Sequence, residues 1–276
     1  MQTTRSVAFR LRLSALAFVL LLSALVFAGG QKLKPAELVE KHLASIGSAE
    51  ARAAARNRVA VGDADVVFRL GANGQLSGTG NFLSEGPMIR LGLIFNGVEY
   101  PGELFGFDGK KVTVAQMQPG VRSPFGEFVH TYDVLLREGL LGGTISTAWP
   151  LLDMAHRQPR LQYTGLKKTD GKQLHELKYE KKKGSTELQI ALYFDPESFR
   201  HVRSQYRLSL PDARGGGQEV SSLVETFDNF KEVDGLTLPY MYRVVFQQGQ
   251  YLAEWNFVVT EVMHNQQIDP KLFVVQ

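Results

Sequence analysis

The six histidines are the residues whose side chains could bind a metal ion or move a proton near neutral pH. They are His42, His130, His156, His175, His201 and His264. No two are four residues apart and no His-Glu-x-x-His segment occurs, so the helical spacing that directs two imidazoles to one metal is missing. His130 and His156 could meet only through the segment between them. We expect solvent-exposed or capping histidines, no metal and no cofactor.

Nucleophilic catalysis would need a serine in a Gly-x-Ser-x-Gly turn, together with a histidine and an acid. That motif is absent, and Gly47-Ser48 and Gly143-Thr144 lack its flanking residues. The glycines at 74–80 resemble a nucleotide-binding loop only superficially, because no long helix follows them, and they are typical of turns and bulges. The sequence therefore favours a protein that is not an enzyme.

The first 28 residues have the composition of a signal peptide. Arg5, Arg10 and Arg12 form a basic opening, and an apolar stretch follows from Leu13 to Ala28. We predict cleavage after Ala28, with export to the periplasm. An uncleaved membrane anchor is the alternative, although the stretch is shorter than the roughly 20 residues that span a bilayer.

The charge and cysteine content of the remaining chain narrow the class of partner. The formal charge of +3 equals the three arginines of the signal segment, so residues 29–276 are near neutral and give no argument for nucleic acid. The chain has no cysteine, which excludes a lipoprotein anchored through that residue. The sequence predicts one domain over 29–276, stabilised without disulfides.

Apolar residues recur first at helical spacing and then at alternate positions. Pro35, Val39, Leu43 and Ile46 predict a short helix that ends at Gly47. Alternating rows then predict half-buried antiparallel strands. The longest rows are Leu236, Leu238, Tyr240, Tyr242, Val244 and Phe246, followed by Tyr251, Ala253, Trp255, Phe257 and Val259. These two rows predict a hairpin.

The strand pattern is interrupted between Pro119 and Pro159, where apolar residues return to helical spacing. The residues concerned are Phe128, Tyr132, Leu135, Leu136 and Leu140. We predict a helical insertion at about 126–152, with a helix from Phe128 to Leu140. It should cover the apolar face of the sheet.

Several turn segments resemble those of the LolA/LolB-like family of periplasmic and outer-membrane proteins, across nearly all of residues 29–276. They are Phe107 to Lys110, Leu166 to Gly171, Val233 to Pro239 and Ile268 to Phe273. The resemblance implies a mainly β (α+β) fold, an incomplete antiparallel β-barrel of about 9–11 strands with a helical lid over an apolar concave face. The family's carrier has an arginine before a proline that holds the lid shut, whereas here Gly86 precedes Pro87 and Arg90 is displaced.

The resemblance implies a non-catalytic monomeric carrier, whose cavity holds acyl chains of a lipid or an acylated lipoprotein and which exchanges them with a membrane-bound donor or acceptor protein. An envelope-stress sensor of the same fold and a structural domain without ligand are the alternatives. The predicted ligand-binding residues are Phe95, Phe128, Tyr132, Leu136, Leu140, Trp149, Tyr240, Tyr242, Trp255 and Phe257.

Overall fold

A computed structural model describes residues 33–70, 74–182, 187–211 and 218–276. The predicted signal peptide and its cleavage site therefore lie outside the described residues. Residues 34–276 form one compact unit.

Two helices precede the sheet. Helix α1, Pro35–Ile46, begins with proline at its first turn, where no backbone donor is lost, and the backbone N–H of Lys34 donates to Glu37 at 2.8 Å. Helix α2, Ala49–Ala54, is capped by Ser48, whose hydroxyl accepts from the Ala51 N–H at 3.1 Å. The apolar face of α1 is buried, as its spacing predicts.

In the described residues, twelve strands form one antiparallel sheet in the order β5-β4-β3-β2-β1-β12-β11-β10-β9-β8-β7-β6. The strands are β1 Asn57–Leu70, β2 Gly74–Glu85, β3 Met88–Phe95, β4 Gly102–Phe107, β5 Val112–Val114, β6 Arg160–Thr169, β7 Lys172–Glu180, β8 Gln189–Phe194, β9 His201–Pro211, β10 Gln218–Val233, β11 Leu236–Gln248 and β12 Tyr251–His264. The sheet is an open barrel, and the predicted 9–11 strands underestimate its size by at least one.

The β11–β12 hairpin has the predicted register. Tyr242 pairs with Phe257 and Val244 with Trp255, and the members of the two apolar rows are buried except the half-buried Tyr251. Residues between them face outward, where Arg243 and Glu254 form an ion pair at 2.7 Å. A period of two therefore separates the two faces of this hairpin.

The segment between β5 and β6 forms the lid, defined here as residues 124–157. It contains α3 Pro124–Thr131, α4 Val134–Arg137, the 3-10 helices Gly143–Ile145 and Pro150–Asp153, and α5 Met154–Arg157. The prediction of a continuous helix from Phe128 to Leu140 is wrong. Thr131, Tyr132 and Val134 are weak helix formers, and the chain breaks there. Gly139 (φ 69°) and Gly142 (φ 82°) then adopt left-handed conformations that end helical structure.

Candidate functional site

Aromatic rings of the lid pack directly on rings of the sheet. Phe125 lies 4.9 Å from Trp255 and 5.6 Å from Phe246, and Phe128 lies 5.1 Å from Phe246, measured between ring centroids. These four residues, termed the lid–sheet cluster, are almost completely buried. The concave face is therefore filled by the protein's own side chains where α3 covers it.

The ten predicted ligand-binding residues all contribute to the interior, and the ring contacts assign four of them to two different groups. Nine are buried and Tyr132 is half-buried. Phe128 and Trp255 belong to the lid–sheet cluster. Trp149 and Tyr242 belong to a second group, described next, and Tyr240 has its ring contact with Lys231 instead.

The second group, termed the histidine–tryptophan cluster, comprises His42, Trp149, His201, Phe227 and Tyr242. Trp149 stacks on His201 at 4.5 Å and donates its indole N–H to His42 Nε2 at 3.0 Å, while His42 Nδ1 contacts the Phe199 carbonyl at 3.1 Å. Burial lowers the pKa of His42 to about 4 and that of His201 well below its usual range. The expectation of exposed or capping histidines is wrong for these two, which are neutral packing residues.

A buried carboxyl connects the lid to the sheet. Glu225 accepts the Gly142 backbone N–H at 2.7 Å, the Tyr242 hydroxyl at 2.6 Å and the Tyr206 hydroxyl at 2.7 Å. Removal from water raises the pKa of Glu225 to about 7, against the lowering effect of these donors. Gly142 belongs to the lid, so this carboxyl helps to hold the lid closed.

A second buried carboxyl lies beside the lid–sheet cluster. Glu103 accepts the Tyr100 hydroxyl at 2.6 Å, and Tyr100 in turn accepts the indole N–H of Trp255 at 2.7 Å. Burial raises the pKa of Glu103 to about 7. Trp255 is thus oriented by a polar chain as well as by packing.

Arg58 holds the lid to the start of β1. Its Nη1 donates to the carbonyl oxygens of Thr144 at 2.6 Å and Ile145 at 3.1 Å, and its Nε donates to His264 at 3.0 Å. Arg90, the nearest candidate in the sequence, instead donates to Asn81 at 2.8 Å within the sheet. A lid-holding arginine is therefore present, but on a different strand.

An open pocket of about 590 Å³, termed the end pocket, lies at one end of the barrel. It is bordered by the last residues of β1, the first residues of β2, the β3–β4 connection and the start of α3. Its apolar and aromatic lining includes Phe68, Leu76, Val98, Tyr100, Met117 and Tyr251. Pro124 also lines it, and the next residue, Phe125, packs on Trp255. The end pocket therefore borders the lid–sheet cluster.

Sequence reasoning missed Arg58, Glu103 and Glu225. Each carboxyl occupies an inward position in an apolar row: Glu103 precedes Phe105 and Phe107, and Glu225 stands between Leu223 and Phe227. Burying a charged residue in such a row costs free energy unless the residue is hydrogen-bonded. The position of each glutamate within an apolar row was therefore the signal that could have identified it. Arg58 precedes the regular alternation of β1 and gave no comparable signal.

Within residues 33–70, 74–182, 187–211 and 218–276, no group of three histidine, aspartate or glutamate side chains is arranged to hold a metal ion. No helix in the same part of the chain has both the length and the apolar character needed to cross a membrane.

Comparison with known proteins gives similarity at the level of structure. No protein-family model and no curated protein sequence matches the chain. One similar solved structure is that of an outer membrane lipoprotein-sorting protein domain from Vibrio parahaemolyticus. It is 12% identical, with TM-score 0.43, and the match covers 85% of this chain and 97% of that one. A LolA superfamily protein from Nitrosomonas europaea is 10% identical, with TM-score 0.44 and coverage of 87% and 97%.

A DUF1329 family protein from Desulfovibrio piger is likewise 10% identical, with TM-score 0.43 and coverage of 87% and 96%. Two of these three structures come from the group that the sequence resembles. At such identities and TM-scores, function has to be inferred from this chain's own residues.

Proposed function

We propose that this protein is a non-catalytic carrier in the bacterial envelope, which binds acyl chains of lipids or of acylated lipoproteins. The observation that supports this function is the end pocket, an open apolar space of about 590 Å³ that borders an aromatic interior. Ligand pockets of proteins commonly measure about 300–1,000 Å³ and have mainly apolar walls. Val98, fully exposed at the pocket, adds apolar surface that water contacts in the free protein.

The path of a bound chain follows from what the pocket borders. Beyond Tyr100 and Pro124 lie Phe125 and Trp255, which belong to the lid and the sheet respectively. A chain longer than the end pocket has to separate these two rings. We therefore place the first part of the chain in the end pocket and the remainder between α3 and β12.

The free energy gained by burying an acyl chain and the free energy lost on association are of comparable size. Burying a sixteen-carbon chain gives roughly 12 kcal/mol at about 0.8 kcal/mol per CH₂ group. Association costs about 4–15 kcal/mol, and separating the lid from the sheet adds to this cost. Affinity should consequently rise with chain length until the lid has to move, and more slowly afterwards.

The test is displacement of a fluorescent fatty-acid probe by unlabelled fatty acids and phospholipids. Val98→Asp adds a charge to the pocket at an exposed residue, so the fold should not change. Val121→Asp adds the same charge at another exposed valine that does not line the pocket. We expect at least fivefold weaker binding for Val98→Asp and no change for Val121→Asp.

The emission of Trp149 gives a second measurement when Trp255 is replaced by phenylalanine, because the chain has only two tryptophans. Trp149 lies in the lid and is completely buried. A saturable change in its emission on adding palmitate would report lid movement. Absence of both probe binding and this change would contradict the carrier function and favour the structural domain.

A further inference from the structure

The pocket between α2, the start of β1 and the lid has the chemistry of a small anion site. It measures about 300 Å³ and is termed the basic pocket. Arg52 and Arg58 line it from the helical and strand side, while Thr144 and Thr147 line it from the lid. No acidic side chain is among its lining residues.

Arg58 brings a positive charge into the interior, and no carboxylate of the described residues is in contact with it. The residue is 4% exposed, and its Nε and Nη1 donate to His264 and to lid carbonyls, none of which carries a negative charge. In the described chain no hydrogen bond uses its Nη2. His264 in turn contacts Asp234 at 2.8 Å, so this carboxylate is separated from Arg58 by an imidazole. A buried guanidinium of this kind is stabilised by an anion.

The two threonines provide an independent observation. The hydroxyl oxygens of Thr144 and Thr147 are buried and have no hydrogen-bond partner in the described structure, and Thr144 is only 4% exposed. A buried hydroxyl without a partner destabilises the folded protein, because its hydrogen bonds to water are lost and not replaced. Both residues line the basic pocket, so a hydrogen-bonding ligand that enters between them can complete these hydroxyls.

Arg52 contributes a second guanidinium. Its Nη1 donates to the carbonyl oxygens of Leu43 at 2.7 Å and Gly47, which fixes the side chain between α1 and α2. The exposed Glu50 of the same helix interacts with Arg52 electrostatically, and no ion pair involves Arg52 in the described residues. The remaining guanidinium donors of Arg52 are free to bind a ligand, since in the described residues they have no hydrogen-bond partner.

We propose that the basic pocket binds a phosphate group through Arg52, Arg58, Thr144 and Thr147. Guanidinium groups and hydroxyls together match the acceptor oxygens of a phosphate. The ligand would join the lid, which supplies the threonines, to the frame, which supplies the arginines. Its binding therefore stabilises the closed lid. This site is separate from the end pocket and does not require the carrier function.

The phosphate group can come from free phosphate or from a phospholipid headgroup, and two titrations distinguish these sources. The first uses inorganic phosphate at low ionic strength and follows heat and the thermal unfolding midpoint. The second uses phosphatidic acid in a non-ionic detergent, with diacylglycerol of the same chains as the comparison. Binding of inorganic phosphate identifies a site for the group itself, whereas binding of phosphatidic acid alone identifies a headgroup site.

The decisive variant is Thr144→Val with Thr147→Val. Valine keeps the shape of threonine, and removing unpartnered hydroxyls should leave the free protein as stable as before or more so. Phosphate affinity should fall at least tenfold. Arg52→Gln should weaken binding similarly, while Arg56→Gln, an exposed arginine two residues before Arg58 that does not line the pocket, should not.

Binding of neither probe, or binding that the threonine variant leaves unchanged, would overturn the proposal. This failure is distinguishable from failure of the carrier function, because displacement of the fatty-acid probe is measured in the absence of phosphate.

Discussion

At the residue scale, Glu225 is a carboxyl whose protonation is linked to folding. Its pKa in the folded protein is about 7, above the ordinary value of 4.5 for the unfolded chain. The folded state therefore binds the proton more tightly, and the stabilisation is complete below the unfolded pKa and lost as pH rises through 7. A shift of this size corresponds to roughly 3 kcal/mol.

We predict that the stability of the wild type relative to Glu225→Gln decreases as pH rises from 5 to 8. The lowered pKa values of His42 and His201 have the opposite effect, because they make the folded protein more stable as pH rises to 6.5. Both histidines are present in the wild type and in the variant, so their effect cancels in the comparison. Urea unfolding across this range measures the difference. Glu232→Gln, at an exposed position of the same strand, is the control. A difference that does not vary with pH would disprove the assignment.

At the element scale, the β11–β12 register predicts different responses at adjacent residues. Tyr242→Asp places a second carboxyl against Glu225 in the interior, and we expect a loss of about 3–5 kcal/mol in unfolding free energy. Met241→Asp, on the outward face and 41% exposed, should cost less than about 1 kcal/mol. Urea unfolding of both variants is the measurement, and equal losses would show that the register is wrong.

A glycine in the lid gives a second prediction at this scale. A Cβ at Gly142 would lie 2.2 Å from the Phe82 ring, in addition to the strain of φ 82°. Gly120 has the same strain (φ 81°) with open space around it. Gly120→Ala should therefore cost about 1–2 kcal/mol, and Gly142→Ala clearly more, with faster proteolysis of the lid. Equal effects would show that the lid does not press on β2.

How far the elements could be predicted depends on whether their residues have one dominant period. The β11–β12 rows alternate without interruption, so both strands and their inward faces follow from sequence. The structure of the lid does not follow from its sequence. Its apolar residues have the spacing of one helix, whereas the left-handed glycines at 139 and 142 divide the lid into short turns. The sequence also did not predict that Trp149 and Trp255 lie in different clusters. Trp149 packs on His42 and His201, which are distant in the chain, and local patterns do not contain such contacts.

At the scale of the whole molecule, β5 and β6 are consecutive in the chain but occupy opposite edges of the sheet. The lid is the connection between them. Opening the lid thus leaves the hydrogen bonds of the sheet intact, since no lid residue is part of the strand order. A protein with this topology can expose its interior without breaking strand pairs.

The exported protein should begin at Gly29, because the basic and apolar opening of the sequence predicts cleavage after Ala28. Intact mass of protein recovered from the periplasm is the measurement. Retention of Met1 in protein that fractionates with the inner membrane would show that the opening segment is an anchor, and the carrier would then act while tethered.

The pairing of β1 with β12 has a consequence for the order of folding. It joins residues 182–206 positions apart in the chain, from Leu70 with Leu252 to Arg58 with His264. Every other strand pair of the described sheet joins strands that are consecutive in the chain, and the connections between them close at small entropic cost. The two sets of sequentially paired strands, β1–β5 and β6–β12, should therefore form separately and join late, since folding slows as contacts become less local. Pulse-labelled hydrogen exchange should show amides between β1 and β12 gaining protection last.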